Sequence, residues 1–268
     1  MKANNAIESG KLLTAGSILE NLGVIEDRFS HARNNIFARF YFYTKQWEKA
    51  RDLLESYDLR NDEISMLAIV YKKLGITEME LPAKYNVNSD VIKIYEYYIN
   101  NQNEALINLV KPIDSSSAEL VAMSIDSVNR YYELMKDDVF LLSMVSEVAT
   151  LTGEWKVEGK ARTYIEKKVG RNNLWHILAA DRAFNDGRDK YFNDVYSNLE
   201  LAYSEGISYM SSEEFSMYMD AMSKKYGKKI FIEKITIILH EIIMPMTDVN
   251  KQQSFMDIVE RYKKETVI

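Results

Sequence analysis

The sequence predicts an all-α protein, built as a stack of antiparallel helix hairpins, and three observations support this fold class. Turn-forming residues are scarce: the 268 residues include 10 glycines and 3 prolines, where average usage gives roughly 19 and 13. Apolar residues recur at spacings of three and four, as in Leu67, Val70, Tyr71 and Leu74, which is the period of one helix face. Strict alternation, the pattern of a half-buried strand, is nearly absent.

Short breaks divide the periodic segments into pairs. We expect a turn at each break, because connections of so few residues join neighbouring helices into antiparallel hairpins. The expected turns are Ser9–Gly10, Thr44–Lys45, Leu74–Gly75, Asn100–Gln102, Thr152–Gly153, Asp186–Gly187 and Tyr226–Gly227. The steps from Lys45 to Gly75 (30 residues), Gly153 to Gly187 (34) and Gly187 to Gly227 (40) lie in the range of stacked helix pairs.

One segment has mixed signals. Residues Lys234–Leu239 are rich in β-branched side chains, which suit a strand, but the length between Gly227 and Pro245 favours about four turns of helix. The wider apolar segment Ile230–Met246 is interrupted by charged residues, so its clean run is far shorter than the ~20 residues of a membrane span. We expect a buried helix there.

The stretch Phe37–Ala50 carries a family resemblance. An aromatic-rich helix, a short turn, Trp47 and then Ala50 resemble the tetratricopeptide-like helical repeats, with Ala38 and Ala50 where that family has small residues. Further units are similar through Leu67–Ala68 with Gly75, Gly153–Trp155, Ala180 with Gly187, and a half-repeat at Gly10–Ala15. The resemblance implies a right-handed stack of helix pairs, a TPR-like α-solenoid.

Two further expectations follow from matching these repeats. Trp47 and Trp155 should be buried between the helices of separate hairpins. Because no alanine stands three residues after Trp155, Lys156–Gly159 looks like an insertion.

We expect a single helical-repeat domain over residues 1–268. A hinge between two stacked halves is predicted near 112–117, because Pro112 would end a helix and the serines at 115–117 offer N-caps to the next one. Such a short linker does not separate independent domains.

Charge and location exclude some classes of partner. Lys plus Arg total 34 against 40 Asp plus Glu, a net charge of −6, so the chain has no general attraction for nucleic acid or anionic lipid. Polar residues interrupt Ala3–Leu13, so no signal-peptide core is present. We expect a cytoplasmic protein without a membrane segment.

No set of residues indicates catalysis. Cysteine is absent, which removes thiolate nucleophiles and sulfur ligands. His240–Glu241 begins like a zinc-protease helix, but Met244 stands where the second histidine is needed. The acids Asp62 and Glu63 follow Asn61, where they stabilise a helix start. We expect no enzyme activity, no cofactor and no metal.

The resemblance implies that partner contacts come from polar residues on the inner face of the first helix of each pair. The matching positions are Asn35, Arg39, Tyr43, Lys72 and Lys73. Asparagine would bond a peptide backbone, and the cations would pair with acidic groups. We therefore expect an interaction scaffold or adaptor that binds a protein or peptide, with an acidic ligand as first candidate, on one concave surface.

The alternative is a DNA-binding regulator with a helical-repeat sensor region. Residues 78–95 resemble a helix-turn-helix, with Ala83 at the inter-helix contact and Ser89–Asp90 opening the reader helix. Acidic residues outnumber the two lysines, Lys84 and Lys93, whereas phosphate contacts dominate DNA affinity. The same residues also fit a shortened helix hairpin in the stack.

Overall fold

The computed structural model describes residues 2–22, 29–79, 85, 87–111 and 131–267. Helices make up most of this part of the chain, and it contains no strand. The prediction of an all-α protein is therefore confirmed, and Lys234–Leu239 is helical rather than extended.

Consecutive helices are joined by short connections. In chain order they are α1 (Lys2–Glu8), α2 (Leu12–Glu20), α3 (Ser30–Tyr43), α4 (Trp47–Leu54), α5 (Asn61–Leu74), α6 (Ser89–Ile99), α7 (Asn103–Val110), α8 (Val139–Leu151), α9 (Trp155–Val169), α10 (Asn173–Asp186), α11 (Tyr191–Ala202), α12 (Ser212–Lys225), α13 (Lys228–Ile237) and α14 (Val249–Val267). A 3₁₀ turn spans Ile207–Tyr209, and a π-helical turn, Ile238–Ile243, extends α13.

The described residues group into two compact units. The central unit contains the described residues up to 171, except 2–22 and 43–45. The terminal unit contains 2–22, 43–45 and 172–267. The expected hinge at 112–117 lies outside the described residues, and the single domain stays a prediction.

In the central unit, α5 and α8 form the core. α5 packs on α4, α6 and α8, and α8 also packs on α7 and α9. The rings of Phe42 and Phe140 meet edge to face at 5.3 Å between centroids, and Phe140 is fully buried. This packing is consistent with a stack of helices.

In the terminal unit, α10, α11 and α12 pack in succession, α1 packs on α2 and α10, and α14 packs on α12 and α13. Phe215 and Phe255 stack at 4.0 Å between ring centroids. Gly10 approaches another backbone so closely that a Cβ would lie 2.5 Å from the carbonyl oxygens of Leu201 and Ala202. Any larger residue would separate these segments.

The turns of four hairpins have the same backbone conformation. A residue in the left-handed region ends each first helix, namely Gly10, Lys45, Asn101 and Gly153, with φ of 73°, 61°, 55° and 72°. The next residue, Lys11, Gln46, Gln102 or Glu154, has φ between −82° and −86° and ψ between 61° and 68°. Its N–H bonds the carbonyl five residues earlier at 2.8 to 2.9 Å, as in a Schellman motif. The chain thus repeats one supersecondary unit at turns of different sequence.

The expected insertion at Lys156–Gly159 leaves no break in the helix, and it stays a prediction. α9 runs without interruption from Trp155, and Glu158 occupies the buried position that Ala50 has in α4. The carboxylate is tolerated there because Arg162 Nε donates to it at 2.6 Å, and a buried charge needs a partner.

The expected burial of the two tryptophans is wrong. Trp47 and Trp155 are only half-buried, because each is the first residue of its helix at the edge of the hairpin. Trp47 packs there edge-on against Phe42, at 5.6 Å between ring centroids.

The apolar segment Ile230–Met246 is buried on one face only. Phe231 and Ile235 are fully buried, whereas Ile230, Ile237 and Met244 are 48%, 53% and 57% exposed. The helix therefore has a second, solvent-facing apolar side that its composition alone does not distinguish.

Candidate protein-interaction surface

Four of the five sequence-predicted contact residues lie in the central unit, with Asn35 and Arg39 on α3 and Lys72 and Lys73 on α5. Tyr43 belongs to the terminal unit and is 1% exposed. Its role as a contact residue stays a prediction, which requires the ring to leave the core.

Arg39 connects three helices. Its Nη2 donates to Asp62 Oδ2 at 3.1 Å, and its Nε donates to Asn35 Oδ1 at 3.2 Å. The guanidinium carbon lies 5.3 Å from the ring centroid of Phe140, at the start of α8. With 16% of its side chain exposed, Arg39 already has an acidic partner within the chain.

The Asn35 amide is also used within the chain. Its Nδ2 donates to Glu63 Oε1 at 2.6 Å, and the Tyr57 hydroxyl donates to the same oxygen at 3.1 Å. Glu63 is fully buried and its Oε2 accepts the Arg60 N–H at 2.7 Å. Asn35 and Glu63 therefore fix the start of α5 against α3.

Glu147 of α8 forms ion pairs with both lysines that the sequence predicts as contact residues. Lys72 Nζ lies 3.3 Å from Glu147 Oε1 and 3.8 Å from the ring centroid of Tyr98, whose hydroxyl donates to Glu147 Oε2 at 2.7 Å. Lys73 Nζ lies 3.9 Å from the same carboxylate. The side chains of Lys72 and Lys73 are 11% and 42% exposed, so Lys73 is the more accessible cation.

Burial and neighbouring charges shift the pKa values of Glu147 and Lys72 in opposite directions. Burial raises the pKa of Glu147, but Lys73 and Lys72 outweigh it and hold that pKa below its usual value. Burial lowers the pKa of Lys72, and Glu147 partly offsets the effect. Burial next to Glu147 raises the pKa of the Tyr98 hydroxyl well above its usual value. At neutral pH the carboxylate is charged and the phenol is protonated.

A buried network lies behind these residues and was missed by sequence reasoning. Asp138 caps α8 by accepting the Phe140 and Leu141 N–H groups at 3.1 and 3.0 Å. Ser65 donates to Asp138 at 2.5 Å and hydrogen-bonds the Tyr95 hydroxyl at 2.8 Å. Burial raises the Asp138 pKa to about 7, although these hydrogen bonds oppose the rise. The aspartate before an apolar run indicates a cap, but nothing in the sequence indicates its partner.

We define the polar seam as Arg39, Asp62, Lys72, Lys73 and Glu147. These partly exposed side chains come from α3, α5 and α8, and they pair with one another. Each pair of the seam offers both signs of charge, and the two pairs lie about 15 Å apart along α5. A purely acidic ligand would have to compete with Asp62 and Glu147. The acidic ligand expected from the sequence therefore stays a prediction.

The helix-turn-helix segment is described only in part, since residues 80–84 and 86 lie outside the described residues. The expected reader helix begins at Ser89 as α6, capped by Asn88, whose side chain accepts the Asp90 N–H at 2.8 Å. Its exposed side chains include Lys93 and Glu96, and Lys93 Nζ lies 3.9 Å from Asp90. This helix surface has no excess of positive charge to attract phosphate.

An open groove of about 570 Å³ runs along α14. Its lining comes from this single helix: Asn250, Gln253, Ser254, Asp257, Ile258 and Arg261. Ligand sites instead combine polar groups that converge from several elements, so the groove is a weaker candidate than the polar seam.

The comparisons with known proteins give no relatives: no family model, curated protein or solved structure matches this chain. In the part of the chain that the structure describes, no group of three or more histidine, aspartate or glutamate residues is placed to hold a metal ion. No helix within the same residues has the length and apolar character needed to cross a membrane.

Proposed function

We propose that this protein is an interaction scaffold or adaptor, a TPR-like right-handed stack of helix hairpins whose polar seam binds a segment of a partner protein. The shared turn of four hairpins supports the repeat architecture. The observation that supports the binding site is the contact of α3, α5 and α8 at Arg39, which pairs with Asp62 and lies against the Phe140 ring.

The seam favours a partner segment with both charge signs. A partner carboxylate reaches Lys73 first, because Lys73 is the most exposed cation of the seam. A partner cation pairs with Asp62, whose side chain is 32% exposed. Each such contact replaces a bond within the chain, so the net gain per pair is small, and shape and hydrogen-bond geometry determine specificity more than affinity. The proposal assigns no catalytic role to these residues.

Swapping the charges within pairs tests this function. In one variant Arg39→Asp and Asp62→Arg exchange the partners of the α3–α5 pair, and in a second Lys72→Glu and Glu147→Lys exchange those of the α5–α8 pair. Each swap keeps the net charge of the chain and keeps an ion pair within it. It reverses the positions of the positive and negative charges that a partner would contact. Affinity capture with mass spectrometry should then lose the specific partners of the wild-type chain.

The matched control swaps an exposed pair outside the seam, Lys168→Asp with Asp137→Lys, whose side chains are 47% and 71% exposed. This control should retain the wild-type partners. Identical partner sets for the wild-type, seam-swapped and control proteins, at unchanged helicity and melting temperature, would remove the seam as the binding site.

A further inference from the structure

A strongly basic patch lies in the terminal unit, where α12 ends and α13 begins. We define the basic corner as Lys224, Lys225, Lys228, Lys229 and Lys234. Residues 224–234 contain these five lysines and one acid, Glu233, a local net charge of +4 in a chain of net charge −6. Such a local reversal of sign marks a surface for a partner of opposite charge.

The lysines of the basic corner are mostly left without acidic partners. Lys224 Nζ pairs with Asp220 Oδ2 at 2.9 Å. Within the described residues, the other four lysines have no carboxylate at ion-pair distance. Lys225 and Lys234 instead lie over tyrosine rings, 4.5 Å from the Tyr196 centroid and 5.0 Å from the Tyr226 centroid. These aromatic contacts orient the ammonium groups and leave their charge uncompensated.

Lys228 and Lys229 do not stabilise the helix in which they lie. Both are exposed and lie in the first turn of α13, where the helix dipole disfavours cations. A role in folding therefore does not account for two adjacent lysines at this point.

Exposed aliphatic side chains follow the lysines along the same helix. Ile230 and Ile237 are 48% and 53% exposed, and their seven-residue spacing places them about 10 Å apart on one side of the helix. Glu233 lies between them in sequence and is also exposed. The exposed surface of α13 thus carries cations, one carboxylate and apolar side chains.

We propose that the basic corner binds an acidic, leucine-rich segment of a partner protein. The carboxylates of that segment would pair with Lys225, Lys228 and Lys229, and its aliphatic side chains would contact Ile230 and Ile237. A polypeptide fits better than nucleic acid, because a phosphate backbone brings no aliphatic groups to contact Ile230 and Ile237. An anionic membrane fits less well, because Glu233 and Glu241 are both exposed beside the apolar side chains. The basic corner shares no residue with the polar seam, so the experiment below tests it independently of the proposed function.

Fluorescence anisotropy of the full chain with a labelled synthetic peptide of alternating glutamate and leucine tests the proposal. The triple variant Lys225→Glu, Lys228→Glu, Lys229→Glu should weaken binding about tenfold or more, since exposed pairs contribute up to about 1 kcal/mol each. The control triple, Lys156→Glu, Lys167→Glu, Lys264→Glu, changes the net charge equally at three exposed lysines outside the corner and should stay within about twofold of wild type.

Neutral variants and other probes complete the test. Replacing the same three corner lysines by glutamine should also weaken binding, and Ile230→Ser with Ile237→Ser should weaken it without changing its salt dependence. Melting temperatures should match that of the wild type. The proposal is overturned by an equal loss in both glutamate triples, by no binding of the peptide, or by tighter binding of oligothymidylate or phosphatidylserine vesicles than of the peptide.

Discussion

The polar seam and the basic corner are both rich in cations, but their cations differ in environment. Arg39 and Lys72 are largely covered and pair with Asp62 and Glu147, whereas Lys228 and Lys229 are exposed. The difference shows that the number of lysines on a helix does not identify a docking surface. A cation becomes available to a partner only when the fold has not already supplied an acid for it.

The largest expected difference between the two surfaces is in stability. Lys72→Glu would place a second carboxylate beside Glu147 in a partly buried site, and breaking such a pair costs about 3 to 5 kcal/mol. Lys228→Glu should change the free energy of unfolding by no more than about 0.5 kcal/mol, as exposed substitutions usually do. Urea denaturation of both variants measures this difference.

A second variant checks the cause of the loss. Adding Glu147→Lys to Lys72→Glu restores opposite charges and should recover more than half of the lost free energy of unfolding. If Lys228→Glu lowered the free energy of unfolding as much as Lys72→Glu does, the distinction between Lys72, which stabilises the fold, and Lys228, which is available to a partner, would be wrong.

The buried carboxyl behind the polar seam should make stability depend on pH. The Asp138 pKa is about 7 in the folded chain against an ordinary 3.8, so the folded state binds a proton that the unfolded state releases. The stabilisation is complete below about pH 4 and is lost as the pH rises through about 7, a change of about 4 kcal/mol at roughly 1.4 kcal/mol per factor of ten.

Asp138→Asn should remove this component of the pH dependence while keeping the cap of α8, because asparagine also caps helices. The neighbouring Asp137 is 71% exposed, so Asp137→Asn should leave the slope between pH 4 and 7 nearly unchanged. Thermal unfolding over this pH range gives the measurement, and equal slopes in wild type and Asp138→Asn would contradict the assignment.

A smaller effect is expected when a single hydroxyl is removed from the polar seam. Tyr98→Phe deletes the donor to Glu147 but keeps the ring below Lys72, and it should cost about 1 to 2 kcal/mol. Tyr97→Phe, at the adjacent half-buried position, serves as the control and should cost less. Chemical denaturation that ranked the two variants in the opposite order would show that Tyr98 contributes through its ring alone.

The smallest expected effect concerns DNA. With a net charge of −6, neither the described part of α6 nor the basic corner should bind duplex DNA at physiological salt. The anisotropy of a labelled duplex should stay unchanged on adding the protein. Sub-micromolar binding lost in Lys84→Glu with Lys93→Glu would favour the helix-turn-helix alternative, and loss in the corner triple would identify the corner as a phosphate site.

The sequence by itself determined the fold class and the turns of the hairpins. Helical periodicity and left-handed residues such as Gly10 and Gly153 act over a few neighbouring positions, so they can be read without the rest of the chain. The same turn at Lys45 and Asn101 forms although neither is glycine.

The tertiary structure alone decided which polar residues remain available. Lys72 meets Glu147 across 75 positions, and Ser65 meets Asp138 across 73. The sequence makes Tyr43 a candidate contact residue, but the fold buries its ring. Local patterns fix which face of a helix is apolar, whereas the partner of a charged side chain depends on which distant helix packs beside it, because ion pairs and hydrogen bonds form only at short range.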